Sequence, residues 1–383
     1  MPRLFVSNFE FEHELAGVVR KGTQELSQDL SAAWIAIAEP GDAISGFGET
    51  DAGFADELAR IGRAVPGEGT REELQSVPWG WTDSVRGLAP HHPAANVQDA
   101  VRTVNSRRFS FALEDRLGCG LDSSAMVTDV SAFSERARDL FAEHGGWVVK
   151  AEFSMSSRER IVARRSATEA DENWVQKRLV ETGAIFIEPL VNIQGEAAAQ
   201  FDVESNGATL CGLTGLLTTD AGRFGGCWIW PGATGDLRDF CEAEEALSIA
   251  VREAGAAGYR GPLGIDMAKY SSLAEGGLRP LQDINARYTM GRLALGFRDV
   301  MDADEHGAWL FVPWKRSGLA KDFVARCDSI IEPDVRMVRT APYSINQRET
   351  QLGTLLLVSK NQTSLRRSCS RVFEVCGRRL RLW

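Results

Sequence analysis

The strongest constraint on the fold is the alternation of capped helices with short apolar strands between residues 105 and 285. The helical segments stop at or near glycine, which readily adopts the left-handed conformation that ends a helix. We expect helices at 105–117, 131–144, 171–181 and 236–256, and strands at 146–150, 184–189, 196–203, 208–217, 264–268 and 278–285. Such alternation predicts a domain that mixes helices and sheets.

The segment before residue 105 predicts a separate unit of parallel α/β type. Residues 4–6 and 34–38 are apolar runs, each followed by polar or turn-forming residues. A strand that ends in a polar loop and leads into a helix favours a parallel sheet. Ligands of parallel sheets bind beyond the carboxyl ends of the strands, where Ser7 and Asn8 would lie.

Charge and composition exclude several classes of function. The net charge of −10 argues against nucleic acid and against an anionic membrane as partners. No apolar run approaches the roughly 18–20 residues of a spanning helix, and the N-terminus turns acidic where a signal peptide would be apolar. We therefore expect a cytoplasmic protein. The 7 cysteines form no C-x-x-C pair, which predicts reduced thiols, and the adjacent His91 and His92 predict a surface loop.

A polar stripe stands out near the end of the alternating region. On a strand, Asp283, Asn285 and Arg287 would share one face, because side chains alternate with a period of two. An antiparallel neighbour ending at Asp266 would place a second carboxylate beside Asp283, and two close carboxylates repel unless a cation lies between them. Carboxylate and amide oxygens suit Mg²⁺, and arginine suits phosphate. An exposed polar edge strand is the alternative interpretation.

Two other segments carry groups that suit a nucleotide. Lys150 ends an apolar strand, where it can reach a phosphate or simply extend into solvent. Pro189 interrupts the next strand between Glu188 and Glu196. A hinge of exposed backbone can bind the edge of adenine, and a carboxylate suits ribose hydroxyls, although a surface hairpin would have the same pattern.

These three features, in this order, resemble the ATP-grasp superfamily over roughly residues 100–300. The resemblance implies a protein of α/β and α+β class: two α+β lobes grip ATP, and an N-terminal parallel α/β domain precedes them. The implied boundaries are 1–104 for the N-terminal domain, 105–187 for the first lobe, 188–300 for the second lobe and 301–383 for a C-terminal extension with a basic tail.

The resemblance also implies roles on the nucleotide side of the site. Lys150 is similar to the lysine that contacts the α- and β-phosphates, and Arg107, preferred over Arg108, would supply a second cation. Glu188 and the backbone of Leu190 would bind adenine. Glu196 falls where the glutamate that binds ribose would be.

At the other end of the implied site, Asp266, Asp283 and Asn285 resemble the magnesium ligands, and Arg287 resembles the arginine that contacts the γ-phosphate or the acyl phosphate. The sequence departs from the family pattern in two places. Asp283 stands where glutamate is usual, which shortens the reach of that ligand by one methylene. The phosphate loop, residues 154–160, contains no glycine.

ATP and Mg²⁺ are therefore the implied cofactors, and a small-molecule carboxylate and an amine, such as amino acids or a peptide, are the implied substrates. The implied reaction joins the two through an acyl phosphate and releases ADP and phosphate. A kinase that phosphorylates a hydroxyl, or a nucleotide-binding protein without turnover, is the alternative. Asp220 and the acidic cluster at residues 10–14 are candidates for a general base.

The last part of the chain is basic. Residues 360–383 contain seven basic residues and one acidic residue. A basic tail can contact nucleic acid or a partner, but we expect a solvated or poorly ordered end.

Overall fold

We analysed a computed structural model of the chain, which describes residues 1–18, 23–67, 74–88, 95–154, 159–232, 240–272 and 276–381. The adjacent histidines 91 and 92, most of the phosphate loop and the first part of the helix expected at 236–256 lie outside these ranges. None of the helices in the described part of the chain is long and apolar enough to cross a bilayer.

The N-terminal region is built around a parallel sheet of three strands, in the order β2-β1-β3. Its strands are β1 (Arg3–Val6), β2 (Ala43–Ile44) and β3 (Gln75–Pro78), and its helices are α1 (Phe11–Leu15), α2 (Thr23–Leu30), α3 (Phe54–Ala59) and α4 (Ala95–Val104). The parallel sheet and the strand at its centre confirm the prediction for this region.

The strand expected at residues 34–38 is wrong, because Ser31–Ala36 forms a 3₁₀ helix. The whole helix is buried, and Trp34 stacks on Phe5 of β1 with ring centroids 4.6 Å apart. An uninterrupted apolar run has no periodicity, so it cannot distinguish a buried strand from a buried helix.

The next region carries an antiparallel sheet in the order β4-β7-β5-β6. Its elements are α5 (Arg107–Leu117), β4 (Ala125–Val127), α6 (Val130–His144), β5 (Trp147–Ala151), β6 (Arg160–Ala163), α7 (Glu169–Thr182) and β7 (Ile185–Pro189). Helices α6 and α7 pack on the sheet through a separate core that includes Phe133, Trp147 and Val175. The three helices end at glycines with positive φ, as their spacing predicted.

The largest sheet begins directly after the hinge at Pro189. Its first elements are β8 (Asn192–Glu204), β9 (Gly207–Thr219), β10 (Phe224–Ile229), α8 (Glu244–Ala256), β11 (Gly261–Ser271), β12 (Gly276–Asn285) and α9 (Met290–Ala294). Every strand pairing in this sheet is antiparallel, and β11 lies between β12 and β8. The edge strand β12 therefore carries the polar stripe beside β11.

The C-terminal region continues the same sheet, which runs β12-β11-β8-β9-β10-β13-β17-β14. The remaining elements are β13 (His306–Val312), α10 (Ala320–Ile330), β14 (Arg336–Arg339), β15 (Ser344–Ile345), β16 (Arg348–Glu349), β17 (Gly353–Ser359), α11 (Gln362–Val375) and β18 (Leu380–Arg381).

The expectation of a solvated or poorly ordered tail is wrong. Helix α11 buries Leu365, Cys369, Val372 and Phe373, and β18 pairs with β9. Apolar residues at this spacing form one face of a helix. The prediction was based on the basic charge of the segment alone and did not consider this periodicity.

Candidate functional site

The principal cavity of the described chain encloses about 660 Å³. It lies between the sheet that contains β5 and β7 and the sheet that contains β8, β11 and β12, and the N-terminal region forms part of its wall. The nine residues to which the resemblance gives a preferred role all line this cavity: Arg107, Lys150, Glu188, Leu190, Glu196, Asp266, Asp283, Asn285 and Arg287. Their individual roles stay predictions.

The two aspartates face each other across paired strands. Asp266 of β11 is the direct antiparallel partner of Asp283 of β12, as the sequence predicted. Burial raises the pKa of Asp266 to about 7, and the neighbouring Asp283 carboxylate adds to the rise. The amide nitrogen of Asn285 donates to Asp266 Oδ2 over 3.4 Å. These oxygens form a cluster of negative charge at one end of the cavity.

Arg107 compensates part of that charge. Its Nη2 donates to Asp283 Oδ2 over 3.0 Å and to Ser154 Oγ over 2.9 Å. The next residue, Arg108, faces away from the cavity and pairs with Glu152 at 3.1 Å. Ser106 caps helix α5 through its side chain and thereby sets the direction of its first turn. The structure therefore places Arg107, and not Arg108, in the cavity.

A buried network of four charged groups lies at the other end. Lys150 is ion-paired with Glu188 Oε1, and Arg279 Nη1 donates to Glu188 Oε2 over 2.9 Å. Arg279 also forms a bidentate pair with Glu114, with distances of 2.6 and 2.7 Å. Burial opposes ionisation of Glu188, but Arg279 and Lys150 outweigh it and lower its pKa to about 2.

Sequence reasoning missed Glu114 and Arg279. Pro280 follows Arg279, and the β11–β12 register shifts between Asp266 and Ala268. The period-two alternation of side chains therefore cannot be extended from the polar stripe to Arg279. The available signal was an arginine between the apolar residues Leu278 and Leu281 of the strand, since a buried arginine needs an acidic partner.

The hinge connects the two sheets. The amide of Leu190 donates to the carbonyl of Gly146 over 3.1 Å, so a contact between the Leu190 backbone and adenine would use its carbonyl oxygen. Glu196 accepts from Thr218 Oγ1 over 3.1 Å and from Gln282 Nε2 over 3.3 Å. Both Glu196 oxygens therefore already take part in a polar network on the cavity wall.

Arg287 joins the acidic end of the cavity to the N-terminal region. It donates to the carboxylate of Glu12 and, through Nη2, to Asn285 Oδ1 over 3.0 Å. Its guanidinium lies over the ring of Trp79, 5.2 Å from the centroid. Glu12 was one of several acidic candidates in the sequence, and its position 275 residues away from Arg287 is set by tertiary structure alone.

The residues at the acidic end fit a divalent metal ion. Two facing carboxylates and an amide oxygen are hard ligands, and their like charges need compensation. The described residues contain no group of three or more His, Cys, Asp and Glu side chains that could hold a metal ion, so a site here would rest on the two carboxylates and the Asn285 amide oxygen. Hard oxygen ligands of this kind suit Mg²⁺.

Comparison with known proteins found similarity in structure only. No protein-family model and no curated protein matches the sequence. N5-carboxyaminoimidazole synthetase from Staphylococcus aureus, complexed with ADP, has a TM-score of 0.56 at 11% identity and covers 97% of this chain and 96% of its own. Phosphoribosylamine–glycine ligase from Thermotoga maritima has a TM-score of 0.53 at 14% identity and covers 99% of both chains.

Biotin carboxylase from Campylobacter jejuni is also similar, with a TM-score of 0.51, 12% identity and coverage of 99% of this chain and 92% of its own. These likenesses define the class of fold, in which α+β units surround a shared cavity behind a parallel N-terminal sheet. The particular fold is ATP-grasp, so the resemblance seen in the sequence is confirmed at the level of the fold.

Proposed function

We propose that this protein is an ATP-dependent ligase that joins a carboxylate to an amine through an acyl phosphate. The observation that carries the proposal is the pairing of Asp266 with Asp283 in the same cavity as Lys150 and the hinge. The similarity to the ADP-bound synthetase and to the phosphoribosylamine–glycine ligase, whose names describe bond-forming enzymes, supports it.

In this proposal the nucleotide lies along the cavity. Glu188 and Leu190 would contact adenine, Glu196 would contact ribose, and Lys150 and Arg107 would hold the phosphates. Lys150 has three N–H donors and can contact phosphate while it stays paired with Glu188, whose other oxygen accepts from Arg279. Mg²⁺, held by Asp266, Asp283 and Asn285, would neutralise phosphate charge when bound.

The reaction then needs positioning more than a protein nucleophile. An oxygen of the substrate carboxylate attacks the γ-phosphorus, the bond to the β-phosphate oxygen breaks, and ADP leaves. The neutral amine nitrogen attacks the carbonyl carbon of the acyl phosphate, the bond from that carbon to the phosphate oxygen breaks, and the departing phosphate takes up the proton that the nitrogen releases. Arg287 lies beside Asn285, where it can stabilise the negative charge of the transferred phosphate.

The test is incubation of the protein with ATP, Mg²⁺ and pooled amines and carboxylates, followed by mass spectrometry of nucleotides and new products. ADP together with a product one water lighter than the sum of its two precursors is the expected result. Lys150→Ala and Asp283→Asn should abolish that product. Lys177→Ala, a change at an exposed lysine of α7, is the matched control and should leave it unchanged.

Other outcomes contradict the proposal in distinct ways. A phosphorylated acceptor would identify the kinase alternative. AMP and pyrophosphate would contradict the acyl-phosphate mechanism. ATP binding without turnover across the pool would favour a nucleotide-binding protein, and no ATP binding would contradict the function as a whole.

A further inference from the structure

The part of the cavity that borders the N-terminal region, next to the acidic end, has a chemistry that ATP does not account for. Phe9, Leu30, Trp79 and Met290 give it apolar walls. Phe9 and Trp79 form an aromatic pair, with ring centroids 4.7 Å apart. Phosphate and magnesium need charged or polar surroundings, so these apolar walls suit a different ligand.

Glu12 is the acidic group in this part of the cavity. It is 2% exposed, and the nitrogens of Arg287 contact only one of its two carboxylate oxygens, Oε1. The other oxygen, Oε2, is buried and accepts no hydrogen bond from the described residues. A buried carboxylate oxygen without a donor is costly, and an N–H group of a ligand would remove that cost.

Gln200 of β8 is a second residue of the cavity lining that has an unpartnered polar atom. It is 1% exposed, its Oε1 accepts from Thr289 Oγ1 over 2.7 Å, and its Nε2 has no acceptor among the described residues. Two side chains that line the cavity thus each hold one buried polar atom without a partner among the described residues, the acceptor Glu12 Oε2 and the donor Gln200 Nε2. A ligand that fits this pocket carries an N–H donor, ideally cationic, and an acceptor on an apolar body.

We propose that this pocket binds the amine substrate, and that the amine is a primary amine carrying an apolar group, held through its nitrogen by Glu12. The proposal rests on the ligase function. It places the amine relative to the acyl phosphate, because the Glu12 carboxylate accepts a hydrogen bond from Arg287, the residue expected beside the acyl phosphate. An amine on Glu12 would thus lie next to the carbon that it must attack.

The experiment is calorimetric titration of the full-length protein, with Mg²⁺ and ADP, by 2-phenylethylamine and by its uncharged counterpart 2-phenylethanol. We expect the amine to bind about tenfold more tightly, since a hydrogen bond to a charged group adds to the same apolar contact. Glu12→Gln replaces Oε2 by a donor while Oε1 can still accept from Arg287. This variant should reduce the preference to about twofold or less, and Glu12→Asp should retain part of it.

Glu14→Gln is the matched control on the same short helix, because Glu14 is less buried and bonds Ser84. It should keep the full preference for the amine. Equal affinity of the wild-type protein for the two probes, no binding of either, or a preference that survives Glu12→Gln would overturn the inference. ADP affinity is measured separately: its absence, with the amine preference intact, would count against the ligase function and not against the amine pocket.

Discussion

The two charged ends of the cavity are built on opposite principles. At the hinge end, Glu114, Glu188, Lys150 and Arg279 form a chain in which each carboxylate meets a cation. At the acidic end, Asp266 faces Asp283 across the strand pair, and the cation in direct contact is Arg107 on Asp283. One end is electrostatically complete without a ligand, whereas the other carries like charges side by side.

This difference distinguishes charged groups that stabilise the fold from charged groups that need a ligand. A buried network with no net charge can hold the hinge strand and β12 together in the free protein. A pair of facing carboxylates lowers stability unless a cation joins them, and such strain is expected where a ligand supplies the missing charge. Isosteric neutralisation of Glu114, which pairs with Arg279 and has no proposed contact with ATP, should therefore lower stability, whereas neutralisation of Asp283 should lower activity.

The largest expected effect is on turnover at the acidic end. Asp283→Asn keeps shape but removes a charge from the proposed metal site, and ADP formation should fall by at least about 1,000-fold. The unfolding midpoint without divalent ions should stay the same or rise, because repulsion with Asp266 is relieved. Turnover by coupled ADP assay and thermal unfolding by circular dichroism measure the two effects. If Asp283→Asn loses activity only because it unfolds, the acidic end serves stability, contrary to the distinction between the two ends.

The next largest effect is on stability at the hinge end. Arg279→Met leaves Glu114 buried without its bidentate partner, and removal of one member of a buried ion pair costs about 3–5 kcal/mol. Urea unfolding at neutral pH should show the loss. Adding Glu114→Gln to the same chain should restore part of it, because the uncompensated charge is then gone. If Arg279→Met leaves the unfolding free energy within about 0.5 kcal/mol of wild type, the network is not structural.

The acidic end was predictable from sequence because its residues are close along the chain. Asp283 and Asn285 lie on β12, where a period of two places them on one face, and Arg287 follows two residues after the strand ends. The pairing with Asp266 required only that the two successive strands be antiparallel, which they are. Cap residues likewise marked helices α5 and α7 within two residues of their ends.

The hinge network and the amine pocket were not predictable in that way. Glu114 lies 165 residues from Arg279, and Glu12 lies 275 residues from Arg287. No local pattern encodes contacts at such separations, which depend on how whole elements pack. The prediction of a strand at residues 34–38 was wrong for a related reason. An apolar run without periodicity takes its conformation from its neighbours, and here the segment Ser31–Ala36 forms a 3₁₀ helix.

A pH series sharpens the comparison with a smaller effect. The pKa of Asp266 is raised to about 7, so the folded protein keeps a proton that the unfolded chain loses above about pH 4. The unfolded state then binds fewer protons, and the free energy of unfolding should fall as pH rises from about 4 to 7. Without divalent ions, Asp266→Asn should remove about 1–2 kcal/mol of that fall, since the side chain is partly exposed and screened.

For Glu188, the free energy of unfolding should change with pH in the opposite direction, which provides an internal reference. Its pKa is lowered to about 2, so its contribution to stability is present above its ordinary pKa and is lost as pH falls toward 2. Urea unfolding of wild type and Asp266→Asn at several pH values measures both windows. If the free energy of unfolding of the two proteins changes in parallel between pH 4 and 7, Asp266 does not carry a raised pKa and the facing carboxylates do not destabilise the fold.

The smallest effect concerns two neighbouring arginines on the first turn of α5. Arg107 contacts Asp283 inside the cavity, whereas Arg108 pairs with Glu152 and its side chain is 42% exposed. Arg107→Ala should weaken ATP binding about tenfold, because a charged donor to phosphate is lost. Arg108→Ala should change ATP affinity less than about twofold and stability by about 1 kcal/mol, since Arg108 is largely solvated and the buried Glu152 keeps its hydrogen bond from Ser106. Calorimetric titration with ATP and Mg²⁺ separates the two, and equal losses would mean that charge near the cavity, rather than direct contact with phosphate, governs affinity at the acidic end.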